Sequence, residues 1–170
     1  MKTYFLMLSE FFPSGHPKAG KPTYFTDKIA RAGVSLLDGT MHQQFSAPTY
    51  KYHTIRGNYN YWEKCFKEIY AGNACLSLRQ WAGIPYRSKH IELARLTMED
   101  GIGIQKLTFK DCFWHADRLC SPIIDGVPID DYTQLAANDG LGAGDWMAWF
   151  LNYKLDSPMA IIQFTKYRYN

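Results

Sequence analysis

Ala74-Cys75-Leu76-Ser77-Leu78-Arg79-Gln80-Trp81 is the stretch whose reading decides the fold class. Ala74, Leu76 and Leu78 fall on one side of an extended chain, and Cys75, Ser77, Arg79 and Trp81 fall on the other. A period of two predicts a strand with one face against a core. Working outward, further strands are expected at 4–8, 88–97, 102–109 and 159–164. A hairpin over 121–129 is expected to turn at Asp125-Gly126, a pair suited to a two-residue loop. Helices are expected from Asp27 with Thr26 as cap, over 58–71, from Asp130 or Asp131 through Ala137, and over 143–152. In the second of these Trp62, Phe66, Ile69 and Tyr70 form an apolar stripe, and Gly72 ends it. Strands gather in 74–128 while helices sit before and after, without regular alternation. That distribution predicts an α+β fold, which a small closed or partly open β-barrel with helices at its ends would fit.

The 170 residues predict a single domain over 1–170, large enough to bury about 70% of its unfolded surface. No apolar run approaches the roughly 18 residues of a membrane span, and Gly and Pro are too few for a collagen-like or disordered chain. Tyr4-Phe5-Leu6-Met7-Leu8 is too short for a signal peptide and reads as a buried strand, so a cytoplasmic protein is expected. Twelve Tyr, ten Phe and five Trp imply a large core, base-stacking surfaces, or both. The four cysteines (Cys65, Cys75, Cys112 and Cys120) form no CxxC pair. Cys112, His115 and Cys120 match no zinc spacing and lack a fourth ligand, so no metal and no cofactor is expected.

The formal charge of +3 conceals a strong asymmetry. Residues 51–95 hold eight Lys/Arg against three Glu, whereas 96–145 hold three against nine acids. A basic block of this kind suits phosphate or nucleic acid, or else the two blocks pair with each other in the fold. Inside the basic block, Lys51, Thr54 and Arg56 lie within six residues. If 54–56 is extended, Thr54 and Arg56 share a face, and Lys51 joins them if the chain turns first. An amine, a hydroxyl and a guanidinium together suit an anionic or carbonyl-bearing ligand. The plain alternative is two exposed cations beside a hydroxyl on a surface strand.

Lys51-x-x-Thr54-Ile55-Arg56, after an N-terminal strand and helix, resembles the KxxTIR signature of the ASCH domain family, whose fold is similar to the RNA-associated PUA barrels. Leu135-Ala-Ala-Asn138-Asp139-Gly140-Leu141 stands where that family carries an acidic residue and glycine after a late helix. Ala74–Trp81 together with Pro85-Tyr86-Arg87-Ser88-Lys89 looks like a bacterial ASCH-like subgroup. The resemblance spans residues 4–165. It implies a PUA-like barrel binding RNA or a (modified) nucleoside or nucleotide. Some members are amidohydrolases of N4-acetylcytidine that use a Lys, a Thr and a Glu. The first two fall on Lys51 and Thr54, and the Glu falls on Asp139, which is one methylene shorter. Because proton transfer requires a hydrogen-bond reach of about 2.6–3.2 Å, this departure implies either a binding site without efficient hydrolysis or one adjusted by a backbone shift.

On this reading, in a barrel that brings Arg56, Arg79 and Arg87 together near Lys51, these arginines meet phosphates or a base edge. Trp81 and Tyr86 stack on a base, or Trp81 packs at the rim. His53 assists as acid or base, or is a structural histidine. Residues 33–50, longer than the family usually has, form a lid or an insertion. Three functions follow: binding of RNA or a nucleoside, hydrolysis of an N4-acylated cytidine, or a non-catalytic protein-interaction module. None requires a membrane.

Overall fold

A computed structural model describes residues 1–37, 49–110 and 121–170. Cys112, His115 and Cys120, and most of the 33–50 segment, lie outside the described residues. The elements in chain order are β1 (Lys2–Met7), α1 (Phe25–Arg31), β2 (His53–Arg56), α2 (Tyr59–Tyr70), β3 (Ala74–Trp81), β4 (His90–Leu96), β5 (Gly103–Lys110), β6 (Ser121–Ile124), β7 (Val127–Pro128), α3 (Tyr132–Asn138), α4 (Ala143–Phe150) and β8 (Met159–Gln163). A single 3₁₀ turn at Met98–Asp100, boxed by Thr97 and Asp100, links β4 to β5.

The strands form two sheets. One has the order β1-β3-β4, with β1 parallel to β3 and β4 antiparallel to it; the other has the order β2-β8-β5-β6-β7 and is antiparallel throughout. The α+β class agrees with the sequence, but among the described residues the expected barrel does not form. Both sheets are open: β1 and β4 are the edges of the first, and β2 and β7 of the second. Closure would need those edges to hydrogen-bond to one another with a common tilt and stagger. Here β2 is four residues long and β7 two, with Pro128 at the outer edge, where a missing N–H is tolerated. Alternation of side chains fixes which face a strand buries, and it leaves the strand's partner unspecified.

Two cores lie on either side of the five-stranded sheet. Leu6, Leu76, Leu78 and Ala94 from the first sheet meet Trp62, Phe66 and Ile69 of α2, with Ala160 and Ile162 of β8. Ile55, Leu107, Leu135, Trp146, Phe150 and Ile161 fill the second, beneath α3 and α4. Strand β8 is therefore buried on both faces, which is why Met159–Gln163 is almost wholly apolar. Two of the four described helices start at a side-chain cap, whereas α1 and α4 (N-cap Gly142) have none. Asn58 accepts from Tyr61 N ahead of α2, and Asp131 from Thr133 N ahead of α3. For α1 the cap position is Tyr24, in the left-handed region at φ 58°, and Thr26 instead donates to Gln80 Oε1 at 2.8 Å. Asp125 and Gly126 both have positive φ, as a type I′ hairpin requires. Among the described residues no helix is long and apolar enough to cross a membrane.

Candidate functional site

The chain enters β2 between the ends of two helices. Lys51 N donates to Lys28 O in α1 (3.0 Å), and Tyr52 N to Asn138 O in α3 (2.8 Å). These two bonds turn the chain so that Lys51 points inward, the bend its offset from Thr54 demands. Asp139 closes α3, and Gly140 follows at φ +80°, its carbonyl taking a bond from Lys28 Nζ at 2.8 Å. A Cβ at Gly140 would stand 3.1 Å from Lys51 Cβ, so the glycine serves both the left-handed turn and the close approach.

Lys51 Nζ donates to Asp139 Oδ1 at 2.5 Å and to the Asp139 carbonyl at 2.6 Å. Both residues are buried, 1% and 3% exposed. The Asp139-Gly140 turn brings the backbone of Asp139 itself against the amine. In β2, Thr54 and Arg56 share a face, and Arg56 Nη1 donates to Thr54 Oγ1 at 2.9 Å. Arg56 Nη2 also donates to Met7 O at 2.5 Å, tying the two sheets together. The Phe25 ring covers the Lys51 ammonium, its centroid 4.0 Å from Nζ.

Burial dominates the electrostatics of this group. It pushes the Lys51 amine down and the Asp139 carboxyl up, and the attraction between them opposes both shifts. Each is thus pressed toward its neutral form, and the gap between an ion pair and a proton passed to Asp139 narrows. Arg56 is likewise pushed down by burial, opposed by Asp139. The Trp146 indole N–H, buried without a hydrogen-bond partner of good geometry, adds a favourable dipole near the same carboxylate. Lys28, brought down to about 8 by burial and then by the charge of Lys51, is a second lysine at this place.

Lys51, Thr54, Arg56 and Asp139 line one small cavity with Ser9, Phe25 and Trp149. Its volume of about 10 Å³ is room for about one water molecule and no more. Ser9 and Phe25 also line a neighbouring open cleft of about 460 Å³, with Glu10, Tyr24, Asp27, Gln80, Trp81 and Ile91 among its walls. That volume is within the range of small-ligand sites. Phe25 is therefore the partition between the open cleft and the buried amine, hydroxyl and carboxylate.

The remaining residues singled out from the sequence lie elsewhere. His53 is fully buried on the opposite face of β2, its Nε2 2.8 Å from Tyr169 Oη, and burial holds it neutral with its pKa well below the usual histidine value. It faces Tyr169 and does not line the cavity that holds Lys51. Arg79 lies on the outer face of the three-stranded sheet, donating from Nε to Ser77 Oγ (2.8 Å) with its guanidinium 3.9 Å over the Phe5 ring. Tyr86 and Arg87 occupy the exposed β3–β4 loop. Arg56 alone of the three arginines reaches Lys51, because the period of two sends Arg79 and Trp81 away from the core side of β3. Phe25, Lys28, Ser9 and Trp149 were not singled out as site residues. Phe25 and Lys28 share a face with Ile29 at helical spacing, and a lysine on that face was the available signal. Among the described residues no three His, Cys, Asp or Glu side chains gather to hold a metal.

No known protein family, curated protein or solved structure matches the chain.

Proposed function

We propose that this chain binds a ribonucleoside, free or within RNA, in the cleft beside the Lys51–Asp139 pair, as its resemblance to ASCH domains implies. The observation that carries the reading is the partition: a cleft of about 460 Å³ and the cavity holding Lys51, Thr54 and Asp139 share the walls Ser9 and Phe25. The base lies in the cleft with Trp81 at its side, and its exocyclic group points at Phe25. Displacement of the Phe25 ring exposes the amine and carboxylate to that group. Quenching of tryptophan fluorescence by cytidine and N4-acetylcytidine tests this placement. Saturable quenching that is reduced in Trp81→Phe is expected; no change in emission at millimolar nucleoside would refute it.

A second reading, amide hydrolysis of an N4-acylated cytidine, is favoured by the convergence of three chemically apt groups on one cavity. Lys51, pressed toward its free base, takes the proton from an attacking water or from Thr54 Oγ1. Arg56 holds the Thr54 hydroxyl as an acceptor, and Asp139 receives and returns the proton. The tetrahedral oxyanion formed at the acyl carbon collapses to expel the exocyclic amine, which takes a proton as it leaves as cytidine. With water as nucleophile acetate is released in the same step; with Thr54 a second water hydrolyses the ester left on Oγ1, releasing acetate and restoring the hydroxyl. Acetate release from N4-acetylcytidine tests this reading, and equal turnover by wild type and Lys51→Ala would remove Lys51 from the chemistry.

A further inference from the structure

The outer face of the three-stranded sheet carries a chain of aromatic and cationic side chains that the buried site does not use. Cross-strand register places Arg79 opposite Glu92 and Trp81 opposite His90. Arg79 lies over Phe5 at 3.9 Å, and His90 sits 6.0 Å from Phe5 and 5.5 Å from Trp81 between ring centroids. Tyr86 continues the series, 5.3 Å from Trp81. Its side chain is 91% exposed, on a residue in the left-handed region at φ 64°, while Arg87 N and Ser88 N both bond to Ile84 O. An aromatic ring presented to water on a strained backbone gains nothing from core packing, and positions of that kind collect at ligand contacts.

The charge around this face is positive. Arg87 and Lys89 are exposed on the same loop, and the acid within the face, Glu92, is taken up by Arg95 and Ser77. Alternating rings and cations match a polynucleotide, whose bases stack on the rings while its phosphates meet the cations. Trp81 belongs both to this series and to the wall of the cleft, so the face adjoins that site at Trp81.

We propose that the outer face of β1-β3-β4 with the β3–β4 loop is a track for single-stranded RNA, which delivers one nucleoside of the strand into the cleft. Tyr86 and Trp81 stack successive bases, and Arg79, Arg87 and Lys89 contact the backbone. The choice of RNA rests on the reading of the cleft as a ribonucleoside site.

Fluorescence anisotropy with a labelled ten-nucleotide cytidine-rich RNA tests the track, at 50 and 200 mM salt, as does the DNA of the same sequence. Loss of one stacked base, about 1–3 kcal/mol, predicts that Tyr86→Ala weakens RNA binding by roughly five- to 150-fold. Arg87→Ala combined with Lys89→Ala is expected to flatten the salt dependence by about 1.4 in the log–log slope. Unchanged affinity in Tyr86→Ala, or no RNA binding at 50 mM salt, overturns the track, and equal binding of DNA overturns its assignment to RNA. Titration with free cytidine keeps the two readings apart. Cytidine binding without RNA binding removes the track alone, whereas RNA binding sensitive to Tyr86 without cytidine binding supports the track and removes the cleft reading. Tyr86 is exposed enough that its alanine variant keeps the fold, which circular dichroism verifies.

Discussion

Lys51 and Asp139, 88 residues apart in sequence, are joined by a 2.5 Å contact in which neither side chain meets solvent. Such a pair is weak evidence for stability, because desolvation of two charges offsets most of their attraction. Removing one partner is a different matter, since it strands the other. Asp139→Leu and Lys51→Met are each expected to lower unfolding free energy by about 3–5 kcal/mol. The double variant is expected to recover most of that loss. Urea denaturation of the four proteins measures the coupling, and strictly additive losses would show that the two groups do not depend on each other.

Lys28 gives the pH dependence. Its folded pKa of about 8 is below the unfolded 10.5, so the unfolded chain holds the extra proton between those values. Stability therefore rises with pH across that window, and the penalty of burying the charged amine is present in full below about pH 8. The difference in unfolding free energy between wild type and Lys28→Met is expected to shift in favour of wild type from pH 8 to 10.5. A difference that stays flat over that range would count against the burial of a charged Lys28.

Arg56 joins the sheets through Met7 O while holding Thr54 Oγ1. Lysine cannot reproduce two directions from one planar fork. Arg56→Lys is expected to cost about 1.5–3 kcal/mol, the worth of one charge-assisted bond. A change below about 0.5 kcal/mol in urea denaturation would show that the bridge to Met7 is dispensable.

Much of the secondary structure and the grouping of Thr54 with Arg56 were legible in the sequence for physical reasons, whereas Asp139 was placed beside Lys51 only by the family resemblance. Ala74, Leu76 and Leu78 alternate because they meet the core, although Cys75 and Ser77 on the other side of β3 are buried as well. Asn58 and Asp131 mark helix starts because their side chains satisfy the first free N–H groups. Thr54 and Arg56 were placed together by strand periodicity alone. What stayed hidden was set by contacts distant in sequence. The sheets remain open because of which strands pair, and alternation carries no information on partners. Phe25 became the wall between cleft and cavity through its position against Lys51, 26 residues later, which no local pattern encodes. Arg79 and Arg87 were grouped with Lys51 by charge, whereas the register of β3 turned Arg79 to the far face.

Calorimetric titration of N4-acetylcytidine into wild type and Phe25→Ala tests the central claim most directly, because Phe25 separates the cleft from Lys51 and Asp139. Saturable binding by wild type is expected, with an affinity for N4-acetylcytidine that changes in Phe25→Ala far more than the affinity for adenosine. No heat of binding for any nucleoside at millimolar concentration, in either protein, would contradict a ribonucleoside site at this cleft.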